Sequence, residues 1–286
     1  MGSPIAYSRS PILHRAAYAV LGLTSWTYDR VELQAGELGD WLSQLDDSWR
    51  GVSVTMPLKQ EASAGADTAS ELVANLGAAN TLVRHQSGWH ADNTDVAGLL
   101  GALNEATTPT RTSISSATVV GAGGTAAAAV AALARLGQSH VDVVVRETAR
   151  AQALLTVAER LDMTAELHRW PGTFSGESDI RDETDRTFSG ESALAADLVI
   201  STVPAAATSS LLDHGWHERQ IVIDVTYDPW PTDLMTAASA HGATAIGGAS
   251  VLLWQAAAQV ELMTGQAAPV DAMRAALLPG GNLAPA

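Results

Sequence analysis

Ala117-Thr-Val-Val-Gly-Ala-Gly-Gly-Thr-Ala126 runs straight into an Ala-rich stretch that reaches Leu136. A β-branched run, a glycine turn and a strong helix former follow one another. The spacing Gly121-x-Gly123-x-x-Ala126 is the dinucleotide fingerprint with Ala in the third place. Its glycines let the backbone approach a pyrophosphate, and the helix start offers N–H groups and a positive dipole end. A glycine pattern alone is weak. Set between a strand and a long helix, it points to nucleotide binding in an α/β fold.

Downstream, residues 141–145 read as the next strand, about 20 residues on, where a ribose-discriminating side chain belongs. The strand ends in Arg146-Glu147-Thr148-Ala149-Arg150. Arg146 and Arg150 suit a 2′-phosphate, whereas Glu147 suits a free 2′-hydroxyl; both arginines also read as a solvated first helical turn. Residues 196–203 and 221–225 are further strands of the buried type, and 234–241 a helix. Gly247-Gly248 opens a long apolar helix over 251–263 that carries Gln255, which needs partners if it is buried.

Upstream, residues 1–11 form a Ser/Pro loop that leads into a helix over 12–21. Ser8 and Ser10 stand two apart before it, as a cap or as hydroxyls facing a ligand. A strand is expected over 26–33, a helix over 38–45, a short strand over 52–55 and one helix over 61–74. A turn and strand follow over 77–83, then a polar loop over 88–95 and a helix over 96–103. Polar residues collect where strands end, which is where α/β sheets bind ligands. Lys59 is the only lysine, and every other cation among the 16 Lys and Arg is arginine. Arg keeps its proton near neutrality, while a partly buried Lys can release it to a substrate oxygen. Drift toward Arg would also leave a lone surface Lys.

A chain of 286 residues suits two domains, and 47% hydrophobic with 16% charged residues supports buried cores. A net charge of −15 argues against nucleic acid or an anionic membrane as the main partner. The absence of cysteine excludes disulfides and thiolate chemistry. The scattered His residues show no metal-ligand spacing, so no metal is expected. No secretory signal or membrane-spanning run is visible, and a cytoplasmic location is the expectation. Thr-Phe-Ser-Gly-Glu-Ser occurs at 173–178 and again at 187–192, which reads as a tandem duplication in an acidic surface loop. Residues 107–116 read as a connector.

Taken together, several segments resemble the shikimate dehydrogenase family, in the family's order and over nearly the whole length. They are Gly-Ser-Pro-Ile-Ala-Tyr-Ser8-Arg-Ser10-Pro, Val-Ser-Val-Thr55-Met-Pro-Leu-Lys59, Gly-Ala-Ala-Asn80-Thr, Asp-Asn-Thr-Asp95, Gly-Ala-Gly-Gly, Asp224-Val-Thr-Tyr227 and the Gln255 helix. The resemblance implies an α/β protein of two domains. Residues 1–100, completed by C-terminal helices over 251–286, would bind substrate. Residues 101–250 would form a Rossmann NADP-binding domain with a loop insertion at about 171–193, and the active site would lie in the cleft between. It implies NADP-dependent reduction of 3-dehydroshikimate to shikimate in aromatic amino-acid (chorismate) biosynthesis, with Lys59 and Asp95 as the catalytic pair. Ser8, Ser10, Thr55, Asn80, Tyr227 and Gln255 would hold the substrate. Gly121, Ala122, Gly123, Gly124 and Thr125 would hold the pyrophosphate, Arg146 and Arg150 the 2′-phosphate, and Glu71, Val225 and Gly248 fall at family cofactor positions. The expected partner is the small substrate, with the chain a monomer or homodimer.

The chain departs from the family at Tyr7 (usually His), at Ser53 (usually Asn) and at Val145-Arg146-Glu147 (usually Asn-Arg-Thr). The last change adds a negative charge and admits NAD beside NADP. The family carries a strand before Gly-x-Pro-Ile, whereas Met1 here abuts Gly2, so a start assigned too late is expected. Two neighbouring readings stay open: a quinate or aminoshikimate dehydrogenase using NAD, and a non-catalytic paralogue that binds NADP(H) or shikimate. The methylene-tetrahydrofolate dehydrogenase plan also has a Lys-bearing pair of domains, but it gives no reason for the Ser pair, Asn80 or Asp95.

Overall fold

The computed structural model describes residues 1–86, 88–107, 114–170 and 190–277. The chain forms two units, one of Met1–Ala102 with the residues from Ala249 on, the other of Leu103–Gly248. The connector, the repeated segment and the tail lie wholly or mostly outside the described residues, as does the side chain of Arg150.

The first unit begins with α1 (Ser10–Val20), where Pro11 sits in the first turn that tolerates it. It continues with α2 (Leu38–Ser43), β1 (Gly51–Ser53), α3 (Lys59–Gly65), β2 (Thr68–Ala69), α4 (Glu71–Leu76), β3 (Thr81–His85), β4 (Gly88–Asp92) and α5 (Asp95–Ala106). Its sheet has the order β1-β3-β4-β2. The β3–β4 pair is antiparallel, with Thr81 opposite Asp92. Leu38, Leu58 and Leu82, each at most 1% exposed, anchor the core under this sheet. Burying each side chain contributes about 2 kcal/mol.

Three expectations are corrected here. Residues 26–33 do not form a strand; among the described residues their only ladder contact is the single parallel bridge Gly2↔Glu32. A cleft of about 490 Å³, lined both by Trp26, Thr27 and Tyr28 and by Arg50, Gly51 and Val52, runs where a partner would pair. Residues 61–74 form two helices, not one. The backbone turns extended at Ala66, and the Asp67 N–H and carboxylate bond Trp89 across to β4. Ser70 then caps α4 by accepting the Val73 N–H. Residues 88–95 are not a polar loop, since most of them form β4, whose burial alternates along the strand.

The second unit contains β5 (Ala117–Val120), α6 (Gly124–Arg135), β6 (His140–Val145), α7 (Gln152–Arg160), β7 (Thr164–Arg169), α8 (Gly190–Ala193), β8 (Leu198–Ser201), β9 (Ile221–Asp224), α9 (Asp233–Ala240) and β10 (Thr244–Gly247). All six strands are parallel in the order β10-β9-β8-β5-β6-β7. This is the doubly wound arrangement whose order reverses beside β5, the usual ligand position in such sheets. Residues Ala126 to Leu133 of α6 are buried without a break, as befits a helix apolar on every side.

The chain then re-enters the first unit with α10 (Gly248–Thr264) and α11 (Val270–Leu277). α5 meets α10 through glycines. A Cβ on Gly98 would stand 2.7 Å from the Val251 carbonyl oxygen, and one on Gly101 2.5 Å from the Trp254 ring. This close approach brings Gln255 and Gln259 of α10 against Asn80. No helix among the described residues is long and apolar enough to cross a membrane.

Candidate active site

Lys59 opens α3 and Asp95 opens α5. The Lys59 Nζ donates to Asp95 Oδ2 at 2.5 Å, and the two side chains are only 14% and 13% exposed. Asp95 is held from three directions. Its backbone N–H donates to Asn93 Oδ1 at 3.0 Å, the Asn80 amide donates to its Oδ1 at 2.7 Å, and the positive end of α5 favours its carboxylate.

Asn80 is the hub of the site. Its Oδ1 accepts from the Thr94 N–H at 2.8 Å and from Thr81 Oγ1 at 2.7 Å, which leaves its amide to face Asp95 and Gln255 Oε1. Gln255 in turn donates to the Leu252 carbonyl at 3.1 Å. The structure thus brings Lys59, Asp95, Asn80 and Gln255 into one connected network.

Ser8 and Ser10 stand at the start of α1, whose cap is Arg9 with no side-chain bond. Ser8 Oγ accepts the Ser10 N–H at 3.4 Å, and the Ser8 carbonyl accepts from Arg30. Thr55 follows β1, with its N–H on the Met1 carbonyl at 2.8 Å.

Sequence reasoning missed a second polar layer of this unit. Gln259, 1% exposed, bonds Thr81 Oγ1, the Asn80 carbonyl, Ser53 Oγ and His14 Nε2. His14 is stacked on Tyr28 at 4.0 Å, and the Tyr28 hydroxyl is bonded by Ser53 and Ser10. Burial pushes the Tyr28 phenol up to about 12. The available signal was the spacing Gln255-x-x-x-Gln259, two amides on one face of an apolar helix.

Burial also lowers His14 from 6.5 to about 4, against a smaller upward pull from Gln259. The folded state therefore resists a proton that the unfolded chain accepts. Stability from this site is complete above pH 6.5 and is lost as pH falls toward about 4. Urea midpoints across that window should fall with acid in the parent and less steeply in His14→Gln; parallel slopes would exclude His14 as the cause.

In the second unit Gly121 has φ +112, a left-handed backbone that favours glycine, and its added Cβ would meet Thr202 Oγ1 at 2.5 Å. An added Cβ on Gly123 would meet nothing within 4 Å, so open space faces the turn. Ala122, Gly124 and Thr125 complete the turn into α6, whose first N–H groups lack partners within the helix. Arg146 and Glu147 are both exposed at the end of β6. Gly248 donates to the Thr226 carbonyl at 3.2 Å, beside Val225, and Tyr227 lies on the same segment after β9. Glu71 belongs to the first unit, exposed at the start of α4.

Comparison with known proteins matches residues 1–82 to the shikimate dehydrogenase substrate binding domain and residues 248–278 to the shikimate 5'-dehydrogenase C-terminal domain. Shikimate dehydrogenase (NADP(+)) of Methylobacterium radiotolerans is 35% identical over 90% of this chain and 86% of its own length. The enzyme of the same name from Caulobacter vibrioides is 35% identical over 93% and 88%. Among solved structures, Mycobacterium tuberculosis shikimate dehydrogenase superposes with a TM-score of 0.83 at 40% identity, covering 96% of this chain and 97% of that one. Shikimate 5-dehydrogenase of Thermus thermophilus, solved with NADP(H) and shikimate, gives 0.76 at 28% identity, covering 96% of each chain. By identity, coverage and the α/β architecture alike, the chain belongs to the shikimate dehydrogenase family.

Proposed function

We propose that the chain is an NADP-dependent oxidoreductase that reversibly reduces 3-dehydroshikimate to shikimate, the step that serves chorismate and aromatic amino-acid synthesis. The observation that carries the chemistry is the enclosed Lys59–Asp95 pair at 2.5 Å, held by Asn80 in a chain of this family.

The residues at the glycine turn fit the cofactor. Gly121 takes a backbone that admits no ordinary side chain, Gly123 leaves the approach open, and α6 presents its positive end. Arg146 supplies charge for the 2′-phosphate, and Arg150, Glu71, Val225 and Gly248 keep their family assignments to the cofactor. Bound NADPH supplies the hydride. As the substrate carbonyl takes up electron density, Lys59 stabilises the oxygen and gives it a proton, forming the hydroxyl. Asp95 holds the amine in place and shares the proton load, and in the reverse direction the pair takes the proton back. Ser8, Ser10, Thr55, Asn80 and Gln255 offer hydroxyl and amide groups to the ring hydroxyls and carboxylate, and Tyr227 joins them on the family pattern.

Glu147 beside Arg146 favours a second reading in which NAD is also accepted. Initial rates of shikimate and quinate oxidation with NADP and with NAD test both. Shikimate with NADP should give the highest kcat/KM. Turnover with quinate and NAD alone would replace the reading, and cofactor binding without turnover would reduce the chain to a binding paralogue.

A further inference from the structure

The strand pair β6–β7 carries chemistry that the reductase reading does not use. Its register sets His140 opposite Thr164, Asp142 opposite Glu166 and Val144 opposite His168. Alternate strand positions share a face, so His140, Asp142, Thr164, Glu166 and His168 all lie on one side of the sheet.

The hydrogen bonds fix how this cluster is wired. His140 Nδ1 lies 2.9 Å from Thr164 Oγ1. That hydroxyl also reaches the Ser139 carbonyl at 3.2 Å, so it can give its proton there and accept from His140 Nδ1, the tautomer that leaves Nε2 open to a ligand. The other ring nitrogen, Nε2, then turns toward Asp142 Oδ1 at 3.4 Å. This is long for a direct N–H···O bond. It is the separation of two ligands that share one cation, since donors about 2.1 Å from a tetrahedral zinc stand about 3.4 Å apart. The donor atoms of His140, Asp142 and Glu166 all lie within 4.8 Å of one another. From the buried side His168, 8% exposed, donates through Nε2 to the same Asp142 oxygen at 2.7 Å. A ring held by an outer partner and a carboxylate held by a buried donor are how metal ligands are oriented.

We propose that His140, Asp142 and Glu166 bind a zinc-type divalent cation on this face of the second unit, with Thr164 and His168 as positioning residues. One imidazole with two carboxylates suits a borderline transition ion, and an all-oxygen set would be needed to favour magnesium. Three protein ligands leave one tetrahedral position for water. The ion ties the edge strand β7 to β6 and neutralises two carboxylates that face each other across the ladder. It takes no part in the reductase chemistry.

Calorimetric titration of the whole chain with zinc chloride tests this, with magnesium chloride as the comparison. One equivalent of zinc should bind, raise the melting temperature and leave basal turnover unchanged. His140→Ala with Glu166→Gln, both at exposed positions, should lose the zinc-dependent shift while melting normally without metal. Thr164→Val should weaken zinc by about tenfold or more through the lost ring orientation. A parent that binds no zinc overturns the proposal, because a proton then suffices between His140 and Asp142. So does a double variant that binds as tightly as the parent, because the ion then sits on other histidines.

Discussion

Lys59→Ala should keep its fold and its affinity for NADP while kcat for shikimate oxidation falls about a hundredfold or more, the usual scale for losing a general acid–base group. The role of the amine follows from where it sits. It is the first residue of a short helix and only 14% exposed, and it donates directly to a carboxylate that Asn80 and the start of α5 hold in place. Removing it leaves Asp95 with those two supports, so the local fold survives. What is lost is the one group there that can both carry charge and give up a proton. Lys59→Arg separates these roles, because Arg keeps the charge but not the exchangeable proton. If proton transfer matters most, kcat in the Arg variant stays near that of the Ala variant; if charge alone matters, much of it returns. Full turnover in Lys59→Ala would remove the residue from the mechanism.

How far the sequence reveals this arrangement depends on the range of the forces involved. The glycine turn was legible because local chemistry dictates it: a β-branched run, a backbone only glycine adopts, and an alanine helix each read without a partner. The strand reversal beside β5 then follows from the fold class. Residues 61–74 misled because Glu, Ala and Leu favour helix wherever no neighbour intervenes, and it is β4 that draws 68–69 out as a strand. Residues 88–92 misled in the opposite sense. Asp and Asn mark turns, but the antiparallel register with β3 overrides that local tendency. The segment at 26–33 has strand composition without strand pairing, since ladder bonds depend on what lies alongside.

The candidate site shows the same division. Lys59 stood out by its rarity, Asp95 and Asn80 by the segments that carry them, and Gln255 by polarity inside an apolar helix. Gln259 stands one helical turn away, but its partners come from three other parts of the chain. Ser53, His14 and Thr81 are 206, 245 and 178 positions distant. The Gln255-x-x-x-Gln259 spacing marks two amides on one helix face, but no local pattern names their partners.

Gln259→Leu should therefore be among the most destabilising single changes in the first unit, costing about 3 kcal/mol. The volume change is small, so the loss comes from polar groups and not from a cavity. Gln259 Oε1 accepts from both Ser53 Oγ and His14 Nε2, while its amide bonds Thr81 Oγ1 and the Asn80 carbonyl. Thr81 retains its bond to Asn80 Oδ1, and the Asn80 carbonyl retains the Val54 N–H. His14, 0% exposed, has no such reserve at Nε2, and a buried donor left unmade costs about 1–3 kcal/mol before the other weakened bonds are added. The decisive comparison is the double variant His14→Leu with Gln259→Leu. Replacing both partners by apolar groups removes the orphan, so the pair should lose much less than the two single losses summed. Urea unfolding with an unchanged m-value reads all three. A single-variant loss below about 0.5 kcal/mol would class Gln259 with ordinary surface positions. Strict additivity across the cycle would show that His14 and Gln259 do not act through each other, and the buried layer beneath Asn80 would then need another account.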